Sequence, residues 1–297
     1  MILALDIGGT FIKWAVADGY ELIIKGKVST PRDSFESLID AIRNILEQNQ
    51  AYDIKGTAVS YPGMADPQTG KLVPIGALDY GFHLPVEKML EKALGMPVSL
   101  ENDGRLAALA EAESGSLKGV DSGYMLVVGT GIGGAYVKNG KVETGSHGYA
   151  GQASLILMGD IRTQGLSTLF SSRTGMAAFL ISAAEQMNRE SISGEEFMAL
   201  VKSGNQKATA LFDQYMNDFT NTLFTLQMLF DPEVFVIGGG ISADEYYISS
   251  MQKKYEELYE MFHLTLPHAE IRPAVYRNDA NIMGALSLFY SQHGDIR

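Results

Sequence analysis

The sequence predicts an α/β protein built from two domains. The chain has 297 residues, the length of two ordinary domains rather than one. Short apolar runs that end in glycine-rich turns are interspersed with stretches of helical periodicity. A pattern of strand, glycine turn, strand, Asp/Asn-Gly turn and strand occurs twice, near residues 2–28 and from residue 124. We expect a smaller domain at 1–104 plus 281–297, and a larger one at 105–280.

Hydrophobic periodicity and turn signals place the elements in order. In the first half we predict strands at 2–5, 11–17, 20–28, 57–61 and 97–100, and helices at 35–46, 85–94 and about 104–114. In the second half we predict strands at 124–128, 135–137, 234–237 and 271–276, and helical stretches at about 168–188, 205–230 and 280–292. Asp33 and Glu36 are placed as a capping box for the first helix, and Gly95 as the end of the second.

The composition excludes several classes of protein. The chain is 46% hydrophobic and 20% charged, as in globular proteins with a sizeable core. We expect no membrane partner and no signal peptide, because there is no apolar run of 18 residues and no basic segment before an apolar one at the N-terminus. The absence of cysteine excludes disulfides and thiolate zinc sites and fits a cytoplasmic location.

The formal net charge of -12 argues against nucleic acid as a partner. It does not exclude an anion such as ATP, because backbone N–H groups and a metal ion can bind a phosphate locally.

Three glycine-rich turns, each after a short apolar strand, predict a nucleotide site. Glycine lets backbone N–H groups approach a phosphate closely and adopt positive φ. Asp6, at the first strand end, can hold a Mg²⁺ ion through water, and Lys13 can reach a phosphate or pair with Asp6. Each turn alone is equally well explained as a tight hairpin. The residues assigned to the nucleotide and its metal are Asp6, Gly8, Gly9, Thr10, Lys13, Gly129, Thr130, Gly131, Gly133, Gly134, Gly239 and Gly240.

Two common phosphate-binding motifs do not fit. No glycine turn is followed by Lys-Ser or Lys-Thr at the Walker A spacing. Gly129, Gly131 and Gly134 match the letters of the dinucleotide fingerprint, but residues 135–137 continue as a strand where that fingerprint needs a helix.

Glu101-Asn102-Asp103, at the end of a short strand, is the candidate catalytic segment. Phosphoryl transfer to a sugar hydroxyl needs a positioned acceptor for the hydroxyl proton, and a carboxylate between a strand and a helix is held rigidly. Asn102 can donate to and accept from vicinal sugar hydroxyls. The alternative is that Asp103 only caps the helix that begins at about Gly104.

In this order, the motifs resemble the ROK family of sugar kinases and sugar-responsive repressors over essentially the whole chain. The matching segments are 6–10, 60–63, 101–103 with the Ala-rich helix after it, 129–134 and 231–240. The resemblance implies the actin-like ATPase (ribonuclease H-like) fold, with two α/β domains around a central cleft. It also implies ATP with Mg²⁺, Asp103 as catalytic base, and a homodimer. The residues it places at the sugar are Ser60, Pro62, Gly63, Asn102, Asp103, His147 and Gln152.

Two departures from the family pattern fall within 145–155. Gln152 stands where the pattern has a glutamate that contacts the sugar, and Leu155 stands where it has a zinc-binding histidine. The family's cysteine cluster is also missing, so we expect no structural zinc. Gln152 keeps hydrogen-bonding capacity without charge, which leaves the identity of the sugar open. His147 is either a sugar contact or a solvated loop residue.

The predicted function is ATP-dependent phosphorylation of a sugar hydroxyl, the 6-hydroxyl of a hexose, an N-acetylhexosamine or a β-glucoside. A repressor of the same family needs a helix-turn-helix before the first phosphate loop, which here begins at Asp6. An actin-like structural or chaperone ATPase has no need of Asn102 and Asp103. A catalytically weak sugar-binding regulator without a DNA-binding domain stays open because of Gln152.

Overall fold

The computed structural model describes residues 1–262 and 266–294. The chain divides into two compact units, of which the first comprises Met1–Glu113, Val142–Ala150 and the residues from Asp279 on, and the second comprises Ser114–Lys141 and Gly151–Asn278. The domain boundaries expected from the sequence stay a prediction. Residues 295–297 of the expected smaller domain lie outside the described residues.

The elements follow one another as strands and helices throughout the described ranges. The strands are Ile2–Ile7 (β1), Phe11–Asp18 (β2), Glu21–Ser29 (β3), Gly56–Tyr61 (β4), Gly63–Ala65 (β5), Leu72–Gly76 (β6), Val98–Asn102 (β7), Ser122–Val128 (β8), Ile132–Lys138 (β9), Lys141–Val142 (β10), Val234–Gly238 (β11) and Glu270–Pro273 (β12). The helices are Phe35–Gln48 (α1), Val86–Leu94 (α2), Asp103–Ser114 (α3), Ile161–Gln164 (α4), Phe170–Thr174 (α5), Met176–Gln186 (α6), Gly194–Lys202 (α7), Gln206–Phe230 (α8), Glu245–Glu260 (α9) and Ala280–His293 (α10). In these ranges no helix combines the length and the apolar character needed to cross a membrane.

The two five-stranded sheets have the same plan, in agreement with the repeat in the sequence. Their strand orders are β3-β2-β1-β4-β7 and β10-β9-β8-β11-β12. In the first sheet β1 pairs antiparallel with β2 and parallel with β4, which is parallel to β7. In the second, β8 pairs antiparallel with β9 and parallel with β11, which is parallel to β12. Side chains at the carboxyl ends of β1, β4 and β7 are therefore brought to one edge, and those of β8, β11 and β12 to another.

The glycine turns of the two copies are more alike than the sequence suggests. Residues 8–10 separate β1 from β2, and residues 129–131 separate β8 from β9. The turn predicted over 129–134 is too long, since Gly133 and Gly134 belong to β9. A Cβ atom at Gly134 would lie 2.6 Å from the carbonyl oxygen of Gly151, so the absence of a side chain here permits close packing.

Two details of the predicted helices are wrong. The N-cap of α1 is Ser34, whose extended backbone lets its Oγ accept the N–H of Ser37 at 3.1 Å, and the Asp33–Glu36 capping box does not form. The helix predicted over 168–188 is broken at Gly175, where an extended backbone separates α5 from α6.

Helix α10 packs closely against α3 and the first sheet. Gly284 lies so near the carbonyl group of Leu106 that a Cβ atom there would overlap it. Apolar side chains of α10, including Leu286 and Phe289, join Ile2 and neighbouring residues of the first sheet in one buried cluster. This packing carries the first turn of α10 to the carboxyl end of β1.

Candidate functional site

Asp6 is the acidic group at the carboxyl end of β1 and is 8% exposed. Its Oδ1 accepts hydrogen bonds from Ser60 Oγ at 3.2 Å and from Asn281 Nδ2 at 2.9 Å. Lys13, which pairs with Asp6 across β1 and β2, places its half-exposed Nζ 3.5 Å from Oδ2. Protein donors thus hold Oδ1, and Oδ2 is the oxygen that faces Lys13. Asn281 was missed by sequence reasoning.

The first glycine turn, 8–10, has protein donors on its carbonyl groups. Thr30 Oγ1 donates to the carbonyl of Gly8 at 2.7 Å, and the Thr30 N–H donates to that of Thr10 at 2.9 Å. Arg32 Nη1 donates to the carbonyl of Gly9 at 2.6 Å. Carbonyl oxygens repel a phosphate, so binding them to protein donors favours an anion at the amide side of the turn. Arg32 is exposed and was missed, because no motif surrounds it.

Asp103 is the first residue of α3 and directly follows β7. The residue is partly buried. Burial raises the pKa of this group to about 6, and the charge of Asp6 raises it too, while hydrogen bonds from the Gly104 N–H and from Asn102 oppose the increase. A carboxyl group of this kind is ionised at neutral pH and still has substantial affinity for a proton.

Asn102 provides the main cap of α3. Its Oδ1 accepts from the N–H groups of Gly104 at 3.0 Å and Arg105 at 3.4 Å, and its Nδ2 donates to the carbonyl of Gly63 at 3.1 Å. Asp103 Oδ1 also accepts from the Gly104 N–H, at 2.8 Å. Capping is therefore shared between both residues, and the alternative that Asp103 serves only as a cap stays open. The Asn102 side chain is thus bonded within the protein at both its Oδ1 and its Nδ2, and its contact with a sugar stays a prediction.

The segment 60–63 is bonded mainly to the protein itself. The Ser60 side chain is buried and donates to Asp6, and the Gly63 carbonyl accepts from Asn102. The carbonyl of Pro62 accepts from the N–H of Ala77 at 3.3 Å. These bonds position the neighbours of Asp103, and direct contact of Ser60, Pro62 or Gly63 with a sugar stays a prediction.

His147 lies on the loop 142–150 of the first unit and is exposed. The amide and hydroxyl groups of Thr69 lower the pKa of Asp66, and His147 adds a smaller effect in the same direction, which places His147 near that aspartate. The carbonyl of the next residue, Gly148, accepts from Arg105 Nη2 at 2.6 Å. Sequence reasoning missed Arg105, because an arginine early in an Ala-rich helix is usually solvated.

Two of the three glycine turns meet in the second unit. Strands β8 and β11 are parallel, with Gly238 beside Val127. Gly239 has a φ of 86° and lies against the carbonyl group of Val128, where a Cβ atom would overlap it. Gly240 follows at the start of a short 3-10 turn. The turn at 238–240 is thus built directly beside the end of β8 and the start of the 129–131 turn.

The 129–131 turn is also held through its carbonyl groups. The first N–H groups of α6, from Met176 and Ala177, donate to the carbonyls of Gly129 at 2.9 Å and Thr130 at 3.3 Å. Ser171 Oγ accepts the N–H of Ile132 at 3.0 Å. As in the first turn, donors inside the protein neutralise the carbonyl side, and Gly129 and Thr130 are exposed.

A pocket of about 740 Å³ opens beside the 238–240 turn, within the second unit. Its volume is typical of small-molecule sites. Lys202 and Asp244 at its wall form an ion pair of 2.8 Å. Its other lining residues include Gly194, Met198, Gly240, Ile241 and Tyr246. Sequence reasoning missed this pocket because it did not predict α7.

Gln152 directly precedes a short 3-10 turn of the second unit, and Leu155 is the last residue of that turn and is exposed. Across residues 1–262 and 266–294, no group of three or more His, Asp or Glu side chains is close enough together to hold a metal ion. The expectation that the protein has no structural zinc stays a prediction.

Comparison with known proteins decides the family. A family model described as ROK family matches residues 2–292. This chain belongs to the ROK family. A beta-glucoside kinase of Listeria monocytogenes is 30% identical, with 98% of each chain covered. An N-acetyl-D-glucosamine kinase of Pasteurella multocida is 29% identical over 98% of this chain and 100% of its own. A ROK family protein from Streptococcus pneumoniae, solved in complex with sucrose, is similar with a TM-score of 0.86, 26% identity and 98% coverage of both chains.

The family assignment confirms the predicted α/β fold class of actin-like ATPases. The named relatives are sugar kinases, so the prediction of a carbohydrate kinase is confirmed at the level of the family. The roles of individual residues are not tested by these similarities.

Proposed function

We propose that this protein transfers the γ-phosphoryl group of ATP to a sugar hydroxyl, with Asp103 as the general base. The observation that carries the proposal is the Asp103 carboxyl group, which stands at a strand end beside Asp6 and has its pKa raised to about 6. General bases work best when their pKa is near the working pH. Membership of a family whose named relatives are sugar kinases supports the same reaction.

In the proposed step, Asp103 accepts the hydroxyl proton while the sugar oxygen bonds to the γ-phosphorus. The bond from that phosphorus to the bridging oxygen breaks, and ADP leaves with the electron pair. We propose the 6-hydroxyl of a hexose, an N-acetylhexosamine or a β-glucoside as acceptor; the relatives' names include the last two classes. Asn102 supports this step, because its side chain fixes the start of α3 and hydrogen-bonds the Asp103 carboxyl group.

The glycine turns and the pocket of the second unit support a nucleotide site. The turns at 129–131 and 238–240 lie side by side, and the 740 Å³ pocket adjoins the second of them. We propose that the turns bind phosphate groups through N–H groups and that the pocket holds the adenosine part. The assignment of Asp6, Lys13 and the 8–10 turn to the phosphates stays a prediction.

The residues at the end of β1 fit a Mg²⁺ ion. Mg²⁺ prefers carboxylate oxygens and keeps several water ligands, and Asp6 Oδ2 faces an exposed ammonium group rather than a buried donor. When bound, the ion would neutralise charge on the phosphate groups. Asp6, oriented by Ser60 and Asn281, is the residue that would hold it through water.

An ADP-release assay on purified protein tests the proposal. The panel is glucose, N-acetylglucosamine, N-acetylmannosamine and methyl β-D-glucoside, with ³¹P NMR to identify the phosphorylated hydroxyl. We expect sugar-dependent ADP release that Asp103→Asn abolishes. Sugar binding without turnover would instead indicate the weak sugar-binding regulator. The homodimer and the cytoplasmic location stay predictions, and light scattering after size-exclusion chromatography tests the first.

A further inference from the structure

Arg105 is a buried cation that the proposed reaction does not use. It lies in the first turn of α3, two residues after Asp103, and is 4% exposed. Its Nη1 lies 3.2 Å from Glu101 Oε1, and its Nη2 donates to the Gly148 carbonyl at 2.6 Å. A buried guanidinium is costly unless it is paired and hydrogen-bonded, and both conditions are met here.

The two acceptors of Arg105 belong to different segments of the first unit. Glu101 Oε1 also accepts the N–H of Asn102 at 2.7 Å, so this carboxylate is fixed at the end of β7. Gly148 directly follows His147 and has a φ of 78°, and a Cβ atom there would lie only 2.9 Å from the carbonyl oxygen of Ala65. One side chain therefore joins the segment that contains the base to the loop that carries His147.

The geometry of this junction depends on a guanidinium group. Arginine presents several N–H donors in a planar fork and can serve a carboxylate and a carbonyl at once, whereas a lysine ammonium is a single point charge. The loop has no helix or strand after Val142, so it depends on such tertiary bonds for its position.

We propose that Arg105 is a positioning residue for sugar recognition, which fixes the position of the loop of His147 and Gly148 relative to Asp103. The inference rests on the proposed function. Arg105 itself touches neither reactant. Its loss displaces the loop that carries His147, so that binding of the sugar weakens while binding of the nucleotide does not.

The test compares Arg105→Met and Arg105→Lys with a matched control, Arg272→Met. Arg272 in the second unit also pairs with a carboxylate, Glu270 at 2.6 Å, and donates to a carbonyl, that of Ser116 at 3.2 Å. The measurements are KM for sugar, KM for ATP, kcat, and sugar affinity by calorimetry with the panel sugars. We expect Arg105→Met to raise KM and Kd for sugar about 10- to 100-fold, the scale of losing one or two hydrogen bonds to the sugar, with KM for ATP within about twofold.

The sugar KM of Arg105→Lys should lie between those of the wild type and Arg105→Met. Arg272→Met should leave the KM values for sugar and for ATP unchanged. A sugar KM for Arg105→Met within about twofold of the wild type, or an equal rise in KM for ATP, overturns the proposal. If circular dichroism shows that Arg105→Met does not fold, the sugar KM of Arg105→Lys tests the proposal instead. A sugar KM of Arg105→Lys equal to that of the wild type then overturns it.

The two proposals can fail separately. A wild-type protein that binds a panel sugar but phosphorylates none refutes the kinase reaction, and the calorimetric Kd values still test Arg105. A wild-type protein that binds no panel sugar overturns both.

Discussion

The charge of Asp6 raises the pKa of Asp103, in addition to the larger effect of burial. The two residues lie at the carboxyl ends of β1 and β7, which flank β4 in the first sheet. Ser60 and Asn281 hold Oδ1 of Asp6, so the charge that acts on Asp103 is fixed in place. Like charges near one another favour protonation of one partner. Asp6, the carboxylate proposed to hold a metal ion, and Asp103, the proposed base, therefore lie at the same sheet edge.

Removing the charge of Asp6 should lower the pKa of Asp103. In Asp6→Asn we expect the Asp103 carboxyl group to titrate below its wild-type value of about 6, because one of the causes that favour its neutral form is gone. Carboxyl ¹³C chemical shifts followed over pH measure this without any need for activity. Asp40→Asn, an exposed position on α1, is the control and should leave the titration unchanged. An unshifted Asp103 in Asp6→Asn would show that the two carboxyl groups do not interact.

Replacing the base should abolish most of the turnover. Asp103→Asn keeps the shape and the hydrogen bond to Gly104 but cannot accept a proton, so kcat should fall about 10²- to 10⁴-fold, with a smaller loss of sugar affinity. In the wild type, kcat/KM should decline as the pH falls below about 6, since Asp103 becomes protonated there. Steady-state kinetics from pH 5 to 8 measure both effects. If Asp103 only caps α3, asparagine replaces it well, and near-wild-type kcat would contradict the assignment.

The same residue should make stability depend on pH. The pKa of Asp103 is raised by folding from 3.8 to about 6, so its favourable contribution is complete below about pH 4 and is lost as the pH rises through 6. From pH 4 to pH 7, the free energy of unfolding of Asp103→Asn should therefore rise by about 1–3 kcal/mol relative to that of the wild type. Urea unfolding at the two pH values checks the difference. A constant difference would mean that the carboxyl group is not destabilised by burial.

Local signals were sufficient to place the candidate residues that lie on one strand or turn. Glycines after an apolar strand predicted the turn at 8–10 and the beginning of the turn at 129–131, which was predicted to extend to 134, and the apolar runs placed Asp6 and Asp103 correctly at strand ends. These features depend on residues close in sequence, where backbone sterics and periodicity decide the outcome.

The parts that were missed depend on partners distant in sequence. Asn281 lies 275 residues from Asp6, and Arg105 lies 43 residues from Gly148. No local sequence pattern indicates such a partner for an isolated asparagine in a terminal helix or for an arginine in an Ala-rich helix. The error at Gly134 has a related cause, because close packing on Gly151 requires glycine as strictly as a phosphate does.

Gln152→Glu should change the ranking of sugars in the panel. If residue 152 contacts the sugar, a carboxylate would strengthen hydrogen bonds to its hydroxyls, because charged acceptors bind more strongly than an amide. KM for ATP should stay nearly constant. Comparing kcat/KM for each panel sugar between the variant and the wild type makes the test. An unaltered ranking would show that residue 152 does not contact the sugar.

Gly239→Ala should impair nucleotide binding and stability together. Gly239 combines a φ of 86° with a ψ of 172°, a region that is open essentially only to glycine, and its added Cβ atom would overlap the Val128 carbonyl group. The variant must shift the 238–240 turn away from the end of β8. We expect a loss of about 1–3 kcal/mol in the free energy of unfolding from the backbone alone, and more from the overlap.

Gly119→Ala separates the backbone effect from the effect on the nucleotide site. Gly119 also has a positive φ, of 74°, but a Cβ atom there meets nothing within 4 Å. Its substitution should therefore cost about 1–2 kcal/mol of stability and leave KM for ATP unchanged. Gly239→Ala should raise KM for ATP while the affinity for sugar stays near the wild-type value, because the displaced turn adjoins the proposed adenosine pocket. Urea unfolding, ATP kinetics and sugar calorimetry on the pair supply the comparison. If Gly239→Ala destabilises the protein without raising KM for ATP, the turn at 238–240 is a packing feature rather than part of a nucleotide site.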